Sequence, residues 1–338
     1  MLLLIDSFDT YVTADLSRRY AVSGSPTIDA VEMRTGVGCL LANSYLHGIT
    51  IAQSFTDDKF VIGFSFKTSD ATPGKVMPLM RAMGGATVNL SIALNMDGTL
   101  TLLRSLAVLG TSTETLIDDT WHHIELIGEV SNSTTIECIL KLDGMTVITV
   151  PTTADTLTGG GLTGLQLGSY NTGGPNFYFD SLYVMDTTGS KNNTFLGDCV
   201  VEAILPDGNG YNSDFDGSDA DKVDNYLLID EADPDDDSTY IEDEDVGGID
   251  AFTYSAMAES PATIHGVAVT AMAKKTTANL RTIKQIARPA STNYEGSEHT
   301  LSGGYVSYQH IWEDNPEDAA AWEEADVNGS EFGVKVES

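Results

Sequence analysis

The chain has 338 residues, 41% of them hydrophobic, which is long enough for two ordinary domains with buried cores. Its 17 basic residues against 50 acidic ones leave a formal charge of -33. That charge excludes nucleic acid, whose phosphates need a Lys/Arg surface, and docking on an anionic membrane.

"MLLLIDSFD" opens the chain with a short apolar run that Asp6 interrupts, so no signal peptide is expected. No apolar run approaches the ~20 residues needed to span a bilayer. "TADLSRRYAV" (13–22) reads either as a short helix capped by Thr13 or as an irregular edge segment. "FVIGFSFKT" (60–68) sets Phe60, Ile62, Phe64 and Phe66 on one face with a period of two, the signature of a half-buried strand.

"ATVNLSIALNMDGTLTLLRS" predicts two strands joined at Asp97-Gly98, and "TTIECILKLDGMTVITV" repeats the device at Asp143-Gly144. Both dipeptides accept the positive φ that a tight hairpin demands. "TGGGLTG" (158–164) leads into the strand-like "LQLGS", so it reads as a hairpin or loop and not as a phosphate cradle. "NFYFDSLYVMDTTG" supplies a further strand. Many short strands at this spacing predict an antiparallel sandwich.

The composition shifts near residue 196. Residues 214–250 carry sixteen acidic side chains against the single Lys222. Beyond them, "TIHGVAVTAMAKKT", "LRTIKQIAR", "GGYVSYQHIW" and "EFGVKV" are strand candidates, and "NPEDAAAWEEADV" the one late helical turn. The expected division is an antiparallel sandwich over 1–195 and a smaller β-rich, sandwich-like domain over 196–338, with an acidic loop region at 214–250. Cys39, Cys138 and Cys199 are odd in number and far apart, which predicts buried free thiols.

"DDTWHHIELIGEV" (118–130) contains the adjacent pair His122 and His123. On a strand, neighbours point to opposite faces, so the two rings cannot grip one metal, and Ile124 and Leu126 are expected in the core. "NSDFDGSDADKV" (212–223) fails as an EF-hand, because Val223 stands where the bidentate glutamate belongs. Asp214, Asp216 and Asp219 remain the candidate ligands for a looser calcium site; no other cofactor is expected.

"TWHHIELIGEVSNSTTIECILKLDG" resembles the Trp-His-x-Ile-Glu strand and hairpin of laminin-G-like, concanavalin-A-like jelly rolls. "LLIDSFDTY" and "NFYFDSLYVMDTTG" are similar to the first and last strands of the version found in virion proteins of tailed bacteriophages. "FLGDCVVEAILPDGNG", "DVGGIDAFTYSAM" and "PEDAAAWEEADVNGSEFGVKV" resemble the second half of the same proteins. The resemblance implies that the N-terminal strand pairs close to the last one. It also implies an all-β, concanavalin-A-like sandwich followed by a second β-domain.

Some glycosidases share that fold and carry a Glu-x-Asp-x-Glu type strand. Here Glu125 and Glu129 are the nearest match, with Ile127 at the middle position. At ~3.3 Å per residue they stand ~13 Å apart, beyond the ~5–9.5 Å that either hydrolytic geometry uses. Gly-x-Ser-x-Gly, His-Glu-x-x-His and Walker motifs are absent.

Two aromatic groups are candidate contact surfaces. Tyr170, Asn171 and Tyr178 lie in "GSYNTGGPNFYF", where rings and amides suit a sugar, against ordinary sandwich packing as the competing reading. Tyr305, Tyr308 and Trp312 in "GGYVSYQHIW" are candidate anchors of a subunit interface. The resulting expectation is a non-enzymatic structural protein of a tailed-phage virion, made in the host cytoplasm, in the tail, baseplate or fibre. It would be a homo-oligomer that contacts other virion proteins. Capsid decoration and a receptor- or host-glycan-binding adhesin are the alternatives.

Overall fold

The computed structural model describes residues 1–132, 136–151 and 155–338, so part of the hairpin strand expected around 134–142 lies outside the described residues. The chain divides into two compact units, Met1–Val201 and Glu202–Ser338; the sequence reading set the break at 195/196.

The first unit is built from β1 (Leu2–Asp6), β2 (Ala21–Ser23), β3 (Thr27–Asp29), β4 (Cys39–Ala42) and β5 (His47–Ile51). These are followed by β6 (Lys59–Thr68), β7 (Met77–Gly84), β8 (Thr87–Leu94), β9 (Thr99–Arg104) and β10 (Ala107–Thr115). Then come β11 (His122–Glu129), β12 (Ile139–Leu142), β13 (Met145–Thr149), β14 (Gly164–Ser169) and β15 (Phe177–Met185). One sheet runs β13-β12-β11-β6-β15-β4-β3, with β1 also paired to β15; the other runs β10-β9-β8-β7-β14-β5-β2. All the pairings are antiparallel. The fold is an all-β antiparallel sandwich of the jelly-roll type, with a smaller β-rich unit after it in sequence.

Alternation decides what fills the sandwich. Phe60, Ile62, Phe64 and Phe66 of β6 are fully buried and meet Leu90, Ile92, Leu102 and Leu165 from the other sheet in one core cluster. Each such side chain contributes roughly 1.5–3 kcal/mol by leaving water. The Asp97-Gly98 turn joins β8 to β9, and Asp143-Gly144, at φ 50° and 78°, joins β12 to β13. Positive φ at both Asp143 and Gly144 matches the right-handed twist of the flanking strands, whereas in the four-residue loop 95–98 only Gly98 adopts it.

Residues 13–22 form a 3-10 turn at Thr13–Asp15 and a single helical turn α1 (Leu16–Arg19) before β2. Arg19 anchors that turn: its guanidinium lies 2.9 Å from Asp6 and donates to the Ile5 carbonyl at 2.7 Å. The hydroxyls of Tyr11 and Tyr20 donate to the same Asp6 carboxylate. The three cysteines are free thiols, two of them buried.

The second unit holds β16 (Pro206–Ser213), β17 (Asp216–Gly217), β18 (Ile241–Glu242), β19 (Ile249–Tyr254) and β20 (Val267–Ala273). It continues with β21 (Thr282–Arg288), β22 (Tyr294–Thr300), β23 (Val306–Trp312), helix α2 (Glu324–Gly329) and β24 (Glu331–Val336). A five-stranded sheet runs β16-β19-β24-β21-β22, beside the pairs β17-β18 and β20-β23. Its core gathers Val269, Ala287, Trp312, Trp322, Val327 and Phe332. No helix of the described residues is long and apolar enough to cross a membrane.

Candidate functional site

The adjacent histidines diverge, as strand geometry requires. His122 Nδ1 lies 2.8 Å from Asp143 Oδ2, and its Nε2 accepts the Ile117 N–H at 3.1 Å, which together set the proton on Nδ1. His123 points to the opposite side, stacks on Tyr183 with ring centroids 6.1 Å apart, and is almost fully buried. Burial holds its imidazole below the usual histidine range.

Glu125 shares the His123 face. Its Oε1 accepts the Tyr183 hydroxyl at 2.5 Å and the N–H groups of Leu196 and Gly197 at 2.9 and 3.0 Å. Its Oε2 has no hydrogen bond among the described residues. Arg34 reaches Ser65 and pairs with Asp198 at 2.7 Å, while Asp180 accepts the Arg34 backbone N–H at 2.8 Å. Burial pushes Asp180 up to about 6. Glu129 is committed elsewhere, to Lys59 at 3.1 Å and the Glu137 N–H at 3.1 Å.

Glu125 and Glu129 therefore do not act as an acid pair across a groove. The cluster is buried, and its strongest acceptor is spent on holding residues 196 and 197 against the sheet.

The candidate calcium ligands do not converge. Asp214 accepts the Ile249 N–H at 3.0 Å, Asp216 lies 3.7 Å from Lys222, and Asp219 faces the Asp221 N–H at 3.4 Å. Among the described residues no group of three or more His, Cys, Asp or Glu is arranged to hold a metal ion. The calcium expectation at Asp214, Asp216 and Asp219 is corrected accordingly: the three carboxylates turn to separate partners.

The aromatic candidates are also redistributed. Tyr178 stands on β15 of one sheet, packed with Cys39 and Leu41, while Tyr170 follows β14 of the other, so they share no surface. Asn171 donates to the Val76 carbonyl at 2.9 Å, a loop tie. Trp312 is buried in the second unit's core and its carbonyl accepts the Trp322 indole N–H at 3.0 Å, which removes it as an interface anchor. Tyr308 accepts the Ser302 N–H at 3.0 Å, and the Tyr305 ring lies under Lys274 at 4.5 Å, so both are engaged within their own unit.

A different surface comes together around Tyr170. Across the seven-stranded sheet, Ala21, Thr50, Gln166, Arg81, Ser91, Leu103 and Val108 stand in one register row. The residues flanking them along the strands, Ile49, Leu165, Leu167, Met80, Ala82, Leu90, Ile92 and Leu102, all enter the core. Period-two alternation therefore turns the row outward. Gln166 Nε2 donates to Thr50 Oγ1 at 3.2 Å, and the Arg81 guanidinium lies 4.1 Å above the Tyr170 ring. Ser91 of this row, with Ala93 and Thr101 farther along β8 and β9, is shielded from solvent. Tyr45, nearly half exposed, lies within electrostatic range of Arg81.

Arg81, Gln166 and Tyr45 were not singled out from the sequence. The one local signal was the lone arginine within the apolar "MPLMRAMG" of β7.

No family model matches the chain, and no curated protein does. Among solved structures it is similar to an endo-β-1,4-glucuronan lyase from the fungus Trichoderma reesei, at 12% identity and a TM-score of 0.41, over 49% of this chain and 91% of that one. It is also similar to the Trypanosoma rangeli sialidase bound to the inhibitor DANA, at 13% identity and TM-score 0.36, over 47% of this chain and 27% of that one. The marine PL-14 alginate lyase from Aplysia kurodai matches at 12% identity and TM-score 0.37, over 48% of this chain and 87% of that one. All three are enzymes by name, two lyases and a sialidase. That conflicts with a non-enzymatic virion component, of tail or capsid, and the expectation of a chain without enzymatic function is withdrawn. At these identities the likeness concerns the fold and gives this chain no activity or substrate.

Proposed function

We propose that the first unit engages a saccharide chain along the outer face of its seven-stranded sheet. The observation that carries this reading is the outward row Thr50–Gln166–Arg81, with the Arg81 guanidinium over the Tyr170 ring and the exposed Tyr45 within its electrostatic reach. Hydroxyl, amide and guanidinium groups on a pleated face supply donors and acceptors at strand spacing, which suits a polyhydroxylated polymer lying across it. Tyr45 adds an amphipathic ring of the kind that packs on a sugar face.

The test is a glycan array probed with the full chain, followed by assay of each hit for released product. Retention of one saccharide class, weakened about tenfold by Gln166→Ala or Tyr45→Ala, supports the reading. Release of product by the wild type extends it from engagement to cleavage. An array with no hit, or hits indifferent to both substitutions, overturns it.

A separate proposal concerns kinship and location. The ordered motifs from "LLIDSFDTY" to "NFYFDSLYVMDTTG", together with the pairing of β1 to β15, support a laminin-G-like domain of the kind carried by tailed-phage particles. Mass spectrometry of purified particles from a producing culture tests it: absence of the chain from the particles counts against that location.

A further inference from the structure

Resting on the saccharide reading, we infer that the ligand carries a carboxylate on its sugar ring and that Arg81 is the group that receives it. The first unit contains five arginines. Arg18 pairs with Asp15, Arg19 with Asp6, Arg34 with Asp198 and Arg104 with Asp155. Among the described residues the Arg81 guanidinium alone has neither a carboxylate partner nor a hydrogen bond, and it lies over the Tyr170 ring. A guanidinium presents five N–H donors in a planar fork that matches a carboxylate. Half-buried over Tyr170, Arg81 keeps its fork accessible to an acceptor.

The surrounding charge agrees. Fifty acidic residues are distributed along the chain, yet β2, β5, β7, β8, β9 and β14 contain no Asp or Glu at all. In this sheet only β10 carries one, Glu114. The facing sheet carries Asp6, Asp29, Glu125, Glu129 and Asp180. Acid has thus been kept off the strands around Arg81 while it accumulated elsewhere. Like charges facing an anionic ligand would repel it, and their absence here leaves Arg81 as the one arginine of these strands without an acid partner.

The experiment compares equilibrium binding of the full chain to several polyuronates and to the carboxyl-reduced, neutral form of each, with sulfated and neutral polysaccharides alongside. The expected result is binding to a polyuronate about tenfold or more tighter than to its reduced form. Arg81→Gln should abolish that difference and Arg81→Lys retain part of it, while Arg104→Gln, which alters a paired arginine on the same sheet, leaves it intact. Thermal unfolding confirms that each variant is folded. Equal binding of both forms, weakened alike by Gln166→Ala, overturns the carboxylate and leaves the saccharide reading standing. A carboxylate preference that survives Arg81→Gln, or tighter binding of a sulfated polymer than of any polyuronate, also overturns it. Binding to no member of the panel overturns both readings.

Discussion

Tyr183 and Glu125 sit two strands apart, on β15 and β11, and join hydroxyl to carboxylate at 2.5 Å across the backbone of Gly63 on the strand between. Register explains the reach, because Glu125, Gly63 and Tyr183 occupy one row. A Cβ at position 63 would overlap the Tyr183 ring. A glycine in the middle of an otherwise bulky core strand is therefore the space that the tyrosine lies in.

Gly63→Ala should destabilise the first unit by about 1–3 kcal/mol through overpacking. Tyr183→Phe should cost about 0.5–1.5 kcal/mol, the loss of one buried hydrogen bond. Denaturant unfolding of the two variants measures both. An alanine variant as stable as wild type would show that the row does not need the vacancy.

Asp180 gives a pH signature. Burial raises its folded pKa to about 6 from an ordinary 3.8. A carboxyl raised in the folded state stabilises that state fully below the unfolded value, and the contribution is lost as pH rises through about 6. Asp180→Asn carries no ionisation, so its stability relative to wild type should improve between pH 4 and 7, by on the order of 2–3 kcal/mol. Paired unfolding curves across that range check the sign; a difference that is flat with pH contradicts the account.

Two arginines should respond unequally to the same change. Arg19→Met breaks a buried ion pair with Asp6 and leaves the carboxylate short of its partner, at about 3–5 kcal/mol. Arg81→Met removes a guanidinium with no ionic partner and keeps an apolar stem over Tyr170, so the change should stay within about 1 kcal/mol. Thermal melts of the pair decide it.

Asn89 pins the glycine-rich loop before β14. Its side-chain oxygen accepts the N–H groups of Thr158 and Gly159, both at 2.9 Å, and its amide donates to the Gly160 carbonyl at 3.0 Å. Asn89→Ala should raise amide exchange over residues 158–161 well above wild type, with about 1–3 kcal/mol lost. Unchanged exchange there would mean that the loop holds itself.

Much of the sandwich could be read from local pattern. The alternation in β6 and the Asp-Gly dipeptide at 143–144 report their own backbone states, and the divergence of His122 from His123 follows from the pleat alone. The site could not be read in this way. Tyr170 and Tyr178 are eight residues apart in the chain, yet the intervening segment crosses from one sheet to the other, so sequence proximity suggested a shared surface that does not exist. Arg81 is conspicuous only once every other arginine of the unit has been matched to its acid, and those matches span as many as 164 positions, from Arg34 to Asp198. The Asp214, Asp216 and Asp219 run looked like a cation loop because spacing says nothing about which backbone amides each carboxylate will choose.

The hold of Glu125 on the amides of Leu196 and Gly197 has a practical corollary for anyone dissecting the polypeptide. An isolated N-terminal fragment that stops at the last sheet strand, near residue 185, would strip two of three donors from a fully buried carboxyl group. Such a fragment should precipitate or melt early, whereas one extended through Val201 keeps its own lining.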